Sequence, residues 1–318
     1  MRRMTILTRL EQWRETGAIT AEQHDAISAL VRKDRFSVFI ELNALLYLGV
    51  LSVVAGLGWV IEEYLTSLGD AAILAGLSIV LVLSFYYCFS RSAPYSSGQV
   101  ESPALAFDYV LYLACLVFVL VLGYAETRFH PLQNDWDFYL LFSSLLYFGL
   151  AYRFDNRFVL SLALSTLAGW FGLRISRFPF TYGESLRPYA LVYGLIVAAT
   201  GAWLHSRGIK KHFTETYFHI AANVLSVAFV SGVISGEREW LYLFGLLGVG
   251  TIAIIEGVRF GRFAFVAYGT IYGYIGISSQ LLRDSRLDSA LALSYLVISG
   301  SLVILSMIML ARRLGQQE

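Results

Sequence analysis

Glu215, His219 and Asn223 follow one another at four-residue spacing, so a helix carries them on one face as a polar stripe, nearly continued by Ser226. The residues around them are apolar. Ionisable groups at membrane depth are costly unless they face the protein interior or a water-filled cavity, which makes the stripe a candidate intramembrane site. A histidine whose proton affinity is set by a neighbouring carboxylate can relay protons or ligate a cation. The competing reading leaves Glu215 at headgroup level and has His219 and Asn223 hydrogen-bond a neighbouring helix. Glu256, in Ile254-Ile255-Glu256-Gly257-Val258-Arg259, is the second candidate. It can act at the site or pair with Arg259 on the next turn as an interfacial salt bridge. Asp108, at the start of another apolar run, has the same two readings.

The rest of the chain adds no familiar constellation. There is no Gly-x-Ser-x-Gly turn, no phosphate loop, and no Cys or His cluster at metal-ligand spacing. Cys88 and Cys115 lie inside apolar runs and suggest no disulfide framework. Lysines occur only at positions 33, 210 and 211, outside the apolar runs, which excludes a retinal Schiff base. No catalytic residue, metal or cofactor is assigned. A net charge of +1 offers no field for nucleic acid.

The elements that must position the stripe are membrane helices. The chain is 57% hydrophobic and 15% charged, whereas a soluble domain carries about a quarter charged residues. Apolar runs of about 16–22 residues, long enough for a helix to cross the hydrocarbon core, fall near 43–61, 71–89, 107–125, 137–152, 158–174, 189–205, 217–234, 240–257, 263–281 and 289–310. Only helices and closed barrels satisfy backbone groups in lipid, and barrel strands are shorter and alternating. The expected fold is therefore an all-α polytopic bundle of about ten spans. The fourth and fifth spans, and the eighth and ninth, are short and closely joined, and could be hairpins that do not fully cross. Most of the 24 Lys and Arg fall on one side if the N-terminus is inside, which places both termini in the cytoplasm. The segment 174–188, with three arginines on the outer side, runs against that count. No cleaved signal peptide is expected, because no apolar core with a small-residue cleavage site opens the chain.

A repeat runs through this domain. Arg153-Phe-Asp-Asn-Arg-Phe and Arg259-Phe-Gly-Arg-Phe each feed an apolar helix bearing Thr-x-x-Gly-x-x-Gly (Thr166, Gly169, Gly172; Thr270, Gly273, Gly276), and Trp136 and Trp240 open the run before each. The expectation is two four-helix units of the same orientation, 71–174 and 189–281, within a transmembrane domain of residues 43–310 and ahead of a cytosolic tail, 311–318. Compositional likeness among Gly- and aromatic-rich membrane helices is the alternative. Ser165 with Gly169, and Gly269 with Gly273, form small-xxx-small pairs suited to close helix packing, and Gly172 and Gly276 further on are expected to serve packing too. Tryptophans and tyrosines near run ends suit an interfacial belt.

Residues 1–36 read as a cytosolic helical hairpin broken at Gly17, with Thr20 and Gln23 as a capping box for its second helix. The same pair could lie on lipid headgroups. Leu10, Trp13, Gly17, Ile19, Gln23, Ala26 and Ile27, followed by the Leu46-to-Gly49 run, resemble a family of predicted bacterial membrane proteins, domain of unknown function 2157. That resemblance implies a multi-pass protein of the bacterial inner membrane and brings no activity, cofactor or site residue. Function reads first as a transporter or permease-like protein for a small solute, ion or lipid. The alternative is a non-catalytic scaffold or sensor component, embedded in the bilayer and recruiting a protein partner through the hairpin. An enzyme acting on lipid or glycan comes third, with no motif behind it.

Overall fold

A computed structural model describes residues 6–24, 28, 48–56, 59–60, 69–133, 135–176, 186–235, 239–284 and 288–315. The chain divides into two compact units, Met1–Ser67 and Leu68–Glu318.

In the first unit, α1 (Ile6–Glu15) ends at Gly17, whose φ of 70° is a left-handed conformation that side chains disfavour. The next helix opens with the expected capping box. The Thr20 N–H donates to Gln23 Oε1 at 3.0 Å, and the Gln23 N–H donates to Thr20 Oγ1 at 3.2 Å. Residues 48–56 and 59–60 are helical. The rest of the expected first span, and most of the hairpin's second helix, lie outside the described residues.

In the second unit the described residues form nine long helices, each matching an expected span. They are α2 (Asp70–Arg91), α3 (Leu105–Phe129), α4 (Trp136–Phe154), α5 (Arg157–Ser176), α6 (Arg187–Arg207), α7 (Thr214–Ser235), α8 (Glu239–Arg259), α9 (Phe263–Asp284) and α10 (Ser289–Gly315). A 3₁₀ turn, Lys211–Phe213, precedes α7. Seven of them, all but α4 and α9, are long and apolar enough to cross a membrane by length and composition. The chain is a multi-pass helical membrane protein, and no strand occurs among its described residues.

The helices pack as successive hairpins, α2–α3, α4–α5, α6–α7 and α8–α9. Helix α7 is the hub, packing against α5, α6, α8 and α9. Tyrosine and serine hydroxyls join helices by donating to backbone carbonyls: Tyr147 to Cys115 O at 2.7 Å, Tyr193 to Leu164 O at 2.6 Å and Ser144 to Ala163 O at 3.0 Å. A helical carbonyl keeps a second lone pair for such a bond, and each contributes about 0.6–2 kcal/mol in a bilayer. Outer faces are apolar. Ile79, Val82 and Leu83 on α2 and Leu293, Val297 and Leu302 on α10 are exposed, as lipid-facing side chains are.

The turns α4–α5 and α8–α9 close alike. Asp155 (φ 58°) and Gly261 (φ 71°) take the left-handed conformation, and the following N–H groups reach back, Asn156 to Ala151 O at 3.1 Å and Arg262 to Gly257 O at 2.7 Å.

Candidate functional site

Glu215, in the first turn of α7, faces two arginines. Arg157 Nη1 donates to its Oε2 at 3.2 Å, and Arg262 Nε lies 3.5 Å from its Oε1. His219 Nε2 stands 3.8 Å from that same Oε1, within ionic reach but too far for a hydrogen bond. The imidazole stacks on Phe265 (4.4 Å between centroids, planes 10° apart) and meets the edge of Tyr268 at 5.6 Å. Its Nδ1 is buried without a hydrogen-bond partner. One turn on, Asn223 donates to the His219 carbonyl at 2.8 Å and accepts from the Tyr272 hydroxyl at 3.0 Å.

These contacts define a seam between two helices. The reversal through α8 makes α7 and α9 run in the same direction, so Arg262, Phe265, Tyr268 and Tyr272 meet Glu215, His219 and Asn223 in ascending order. Beyond Tyr272 the α7 stripe reaches Val227, Ser231 and Ser235. These line a shallow depression of about 450 Å³ together with Arg187 and Tyr272.

Glu256 is elsewhere. It pairs with Arg259 at 3.9 Å and lines a second cavity, an apolar groove of about 490 Å³ among α6, α7 and α8. The groove and the seam share Arg262 and Phe265.

The site has a counterpart in the first half. Asp108 opens α3 as Glu215 opens α7, and Tyr112 follows it at the spacing of His219 after Glu215. Asn156, placed after its turn as Arg262 is, donates to Asp108 Oδ1 at 2.9 Å and to the Tyr112 hydroxyl at 3.0 Å. In the first half a carboxylate is held by uncharged donors, where in the second half it is held by arginines.

The glycines of the repeated motif differ in surroundings. A Cβ on Gly269 would lie 2.5 Å from the Gly250 carbonyl oxygen, so α8 and α9 cross there at backbone contact. On Gly276 it would meet Leu246 Cδ2 at a still closer distance. On Gly169 it would make ordinary contact with Leu140, and at Gly172 and Gly273 it would meet open space. Ser165 is exposed.

The sequence reading did not single out a third cluster. Asp155 Oδ2 and Lys210 Nζ pair at 3.1 Å, and His212 Nε2 lies 2.5 Å from Asp155 Oδ1. Val100 N–H donates to Asp155 Oδ2, while Lys210 donates from Nζ to Gly98 O at 3.1 Å and from its backbone to Ser97 O at 2.9 Å. Arg153 adds bonds to Ala93 O and Ser92 Oγ. The α2–α3 loop is thereby clamped to the α4–α5 turn and the α6–α7 link. The available signal was the aspartate standing where the second turn has Gly261, since only the aspartate can hold a cation.

At the opposite end, three arginines are matched by acids. Arg128 lies 3.6 Å from Asp70, Arg174 3.2 Å from Asp137 and Arg283 2.5 Å from Glu239. Among the described residues no group of three or more His, Cys, Asp or Glu could hold a metal ion. Cys88 and Cys115 are free thiols.

Residues 11–160 match the family described as predicted membrane protein (DUF2157). The match extends beyond the N-terminal hairpin and first span, through α2, α3 and α4, and stops short of the α7–α9 seam. No curated protein and no solved structure matches the chain.

Proposed function

We propose that the protein is a transporter or permease-like protein that moves a small solute or ion along the seam between α7 and α9. The observation that carries this reading is the line Glu215, His219, Asn223 set against Arg262, Tyr268 and Tyr272, with a buried His219 nitrogen left open to a water or a substrate group. At about 1.5 Å per residue, the stretch from Glu215 to Ser235 is about 30 Å long, the thickness of the hydrocarbon core. The α7 face thus runs from an arginine–carboxylate cluster at one end, past the apolar Val227, to Ser231, Ser235 and the depression beside Arg187 at the other. Protonatable groups in such a line let a proton pass or accompany a solute.

Common ancestry of α2–α5 and α6–α9 fits this reading. The matching turns support it, as does the correspondence of Asp108, Tyr112 and Asn156 with Glu215, His219 and Arg262. One unit keeps the arrangement for packing, the other for passage.

The test is proton flux into proteoliposomes under an imposed pH gradient, read with an entrapped pH-sensitive dye. Wild-type protein is expected to conduct above empty vesicles, and His219→Ala and Asn223→Leu to fall to the empty-vesicle rate. Equal flux in wild type and variants removes the seam as the path. Absence of flux in every sample favours the scaffold reading, with the N-terminal segment recruiting the partner.

A further inference from the structure

We infer that the groove among α6, α7 and α8 is a binding site for one phospholipid, with an acyl chain in the groove and the headgroup phosphate on Arg262. The groove holds about 490 Å³, within the range of about 300–1,000 Å³ typical of small-molecule sites. Alanines make the room: Ala198 on α6, Ala221 and Ala222 on α7 and Ala253 on α8 stand where larger side chains would close it. Its rim residues Leu195 and Ile252 are among the most exposed apolar side chains of their helices, so the groove opens sideways to the bilayer. Apolar surface of this shape at membrane depth is filled by hydrocarbon, because water gains nothing there.

The head is identified by charge. Glu256, Phe260 and Arg262 stand at one end of the groove, at the α8–α9 turn. The Arg262 guanidinium lies 5.9 Å from the Phe260 ring centroid and 3.5 Å from Glu215, and makes no hydrogen bond to any described residue. Its forked donors suit a phosphate. Arg259, mostly exposed and paired with Glu256 at 3.9 Å, lies beside it over the same Phe260 ring. The charge count places this turn on the cytoplasmic side, where anionic lipids concentrate. The site does not depend on transport through the seam, and its readout is lipid retention rather than flux.

The experiment is native mass spectrometry of the delipidated full chain in detergent, titrated with phosphatidylglycerol and, separately, with diacylglycerol, which lacks the phosphate. Wild-type protein is expected to retain one phosphatidylglycerol about tenfold more tightly than diacylglycerol, and Arg262→Gln to lose most of that preference. Ala222→Trp and Leu195→Trp, which fill the groove from two helices, are expected to abolish retention. A phosphatidylglycerol with a photoreactive chain provides a check that needs no variant: cross-links are expected in the segments containing Leu225 and Ile252. Equal retention of the two lipids, an unchanged preference in Arg262→Gln, or cross-links only elsewhere would overturn the proposal. A lipid-free dimer would overturn it in favour of a second copy in the groove.

Discussion

Asn156 and Arg262 each follow the left-handed residue of an interhelical turn, and each reaches a carboxylate in the first turn of another helix. Asn156 binds Asp108 and the buried Tyr112, while Arg262 contacts the half-buried Glu215 alongside Arg157. The same geometry thus sets an amide against a carboxylate in one half and arginines against a carboxylate in the other.

Asn156→Ala is expected to be the more damaging of the two substitutions. It strips donors from Asp108 and Tyr112 and the cap from α5, where the Val159 N–H donates to Asn156 Oδ1 at 3.0 Å. A loss of about 2–3 kcal/mol is expected. Arg262→Ala leaves Glu215 with Arg157 and partial solvent access, for a cost of about 0–1 kcal/mol. Denaturant unfolding in mild detergent, followed by circular dichroism, ranks them.

Lys210→Met leaves Asp155 charged and buried beside one histidine. Both side chains of the pair are 1% exposed, and breaking such a pair from one side costs about 3–5 kcal/mol. Adding Asp155→Asn to Lys210→Met should recover part of that loss, because no bare charge remains. The same unfolding assay reads both, and an additive double variant would contradict the pairing.

Much of this architecture was legible beforehand. Continuous apolar runs dictated helices, and the expected spans from 71–89 onward coincide with α2 to α10, because burial in lipid leaves the backbone no alternative. Thr20 and Gln23 formed their box because a capping interaction is local. Tertiary relations were less visible. The spacing of Glu215, His219 and Asn223 gave the face of α7 but not its partner, since nothing local links Tyr272 to Asn223. Asp155 and Lys210 carry no local sign of their pairing, because their burial depends on the α2–α3 loop folding over them. Small-residue spacing could not distinguish Gly269, at a helix crossing, from Gly273, in open space.

That distinction is measurable. Gly269→Ala places a Cβ 2.5 Å from the Gly250 carbonyl and 2.7 Å from Ile254 Cγ1, so the helices must separate. A loss of about 1–3 kcal/mol is expected. Gly273→Ala meets nothing within 4 Å and should be neutral or slightly stabilising through helix propensity. Paired melting curves in detergent decide it.

Thr20→Ala removes the side-chain half of the capping box and should loosen the start of its helix by about 1 kcal/mol. Amide hydrogen exchange reports it directly: protection at Gln23 should fall several-fold, while Ile73 and Leu77 on α2 stay unchanged.

The seam itself is tested most directly by water access. In a background with Cys88 and Cys115 replaced by alanine, single cysteines at Asn223, Ser231 and Ser235 are treated with a membrane-impermeant methanethiosulfonate, with Phe244→Cys on the exposed face of α8 as the lipid-facing control. The account predicts modification at the three seam positions and none at the control. Seam cysteines as inert as the control, in protein with an unchanged helical spectrum, would contradict a path between α7 and α9.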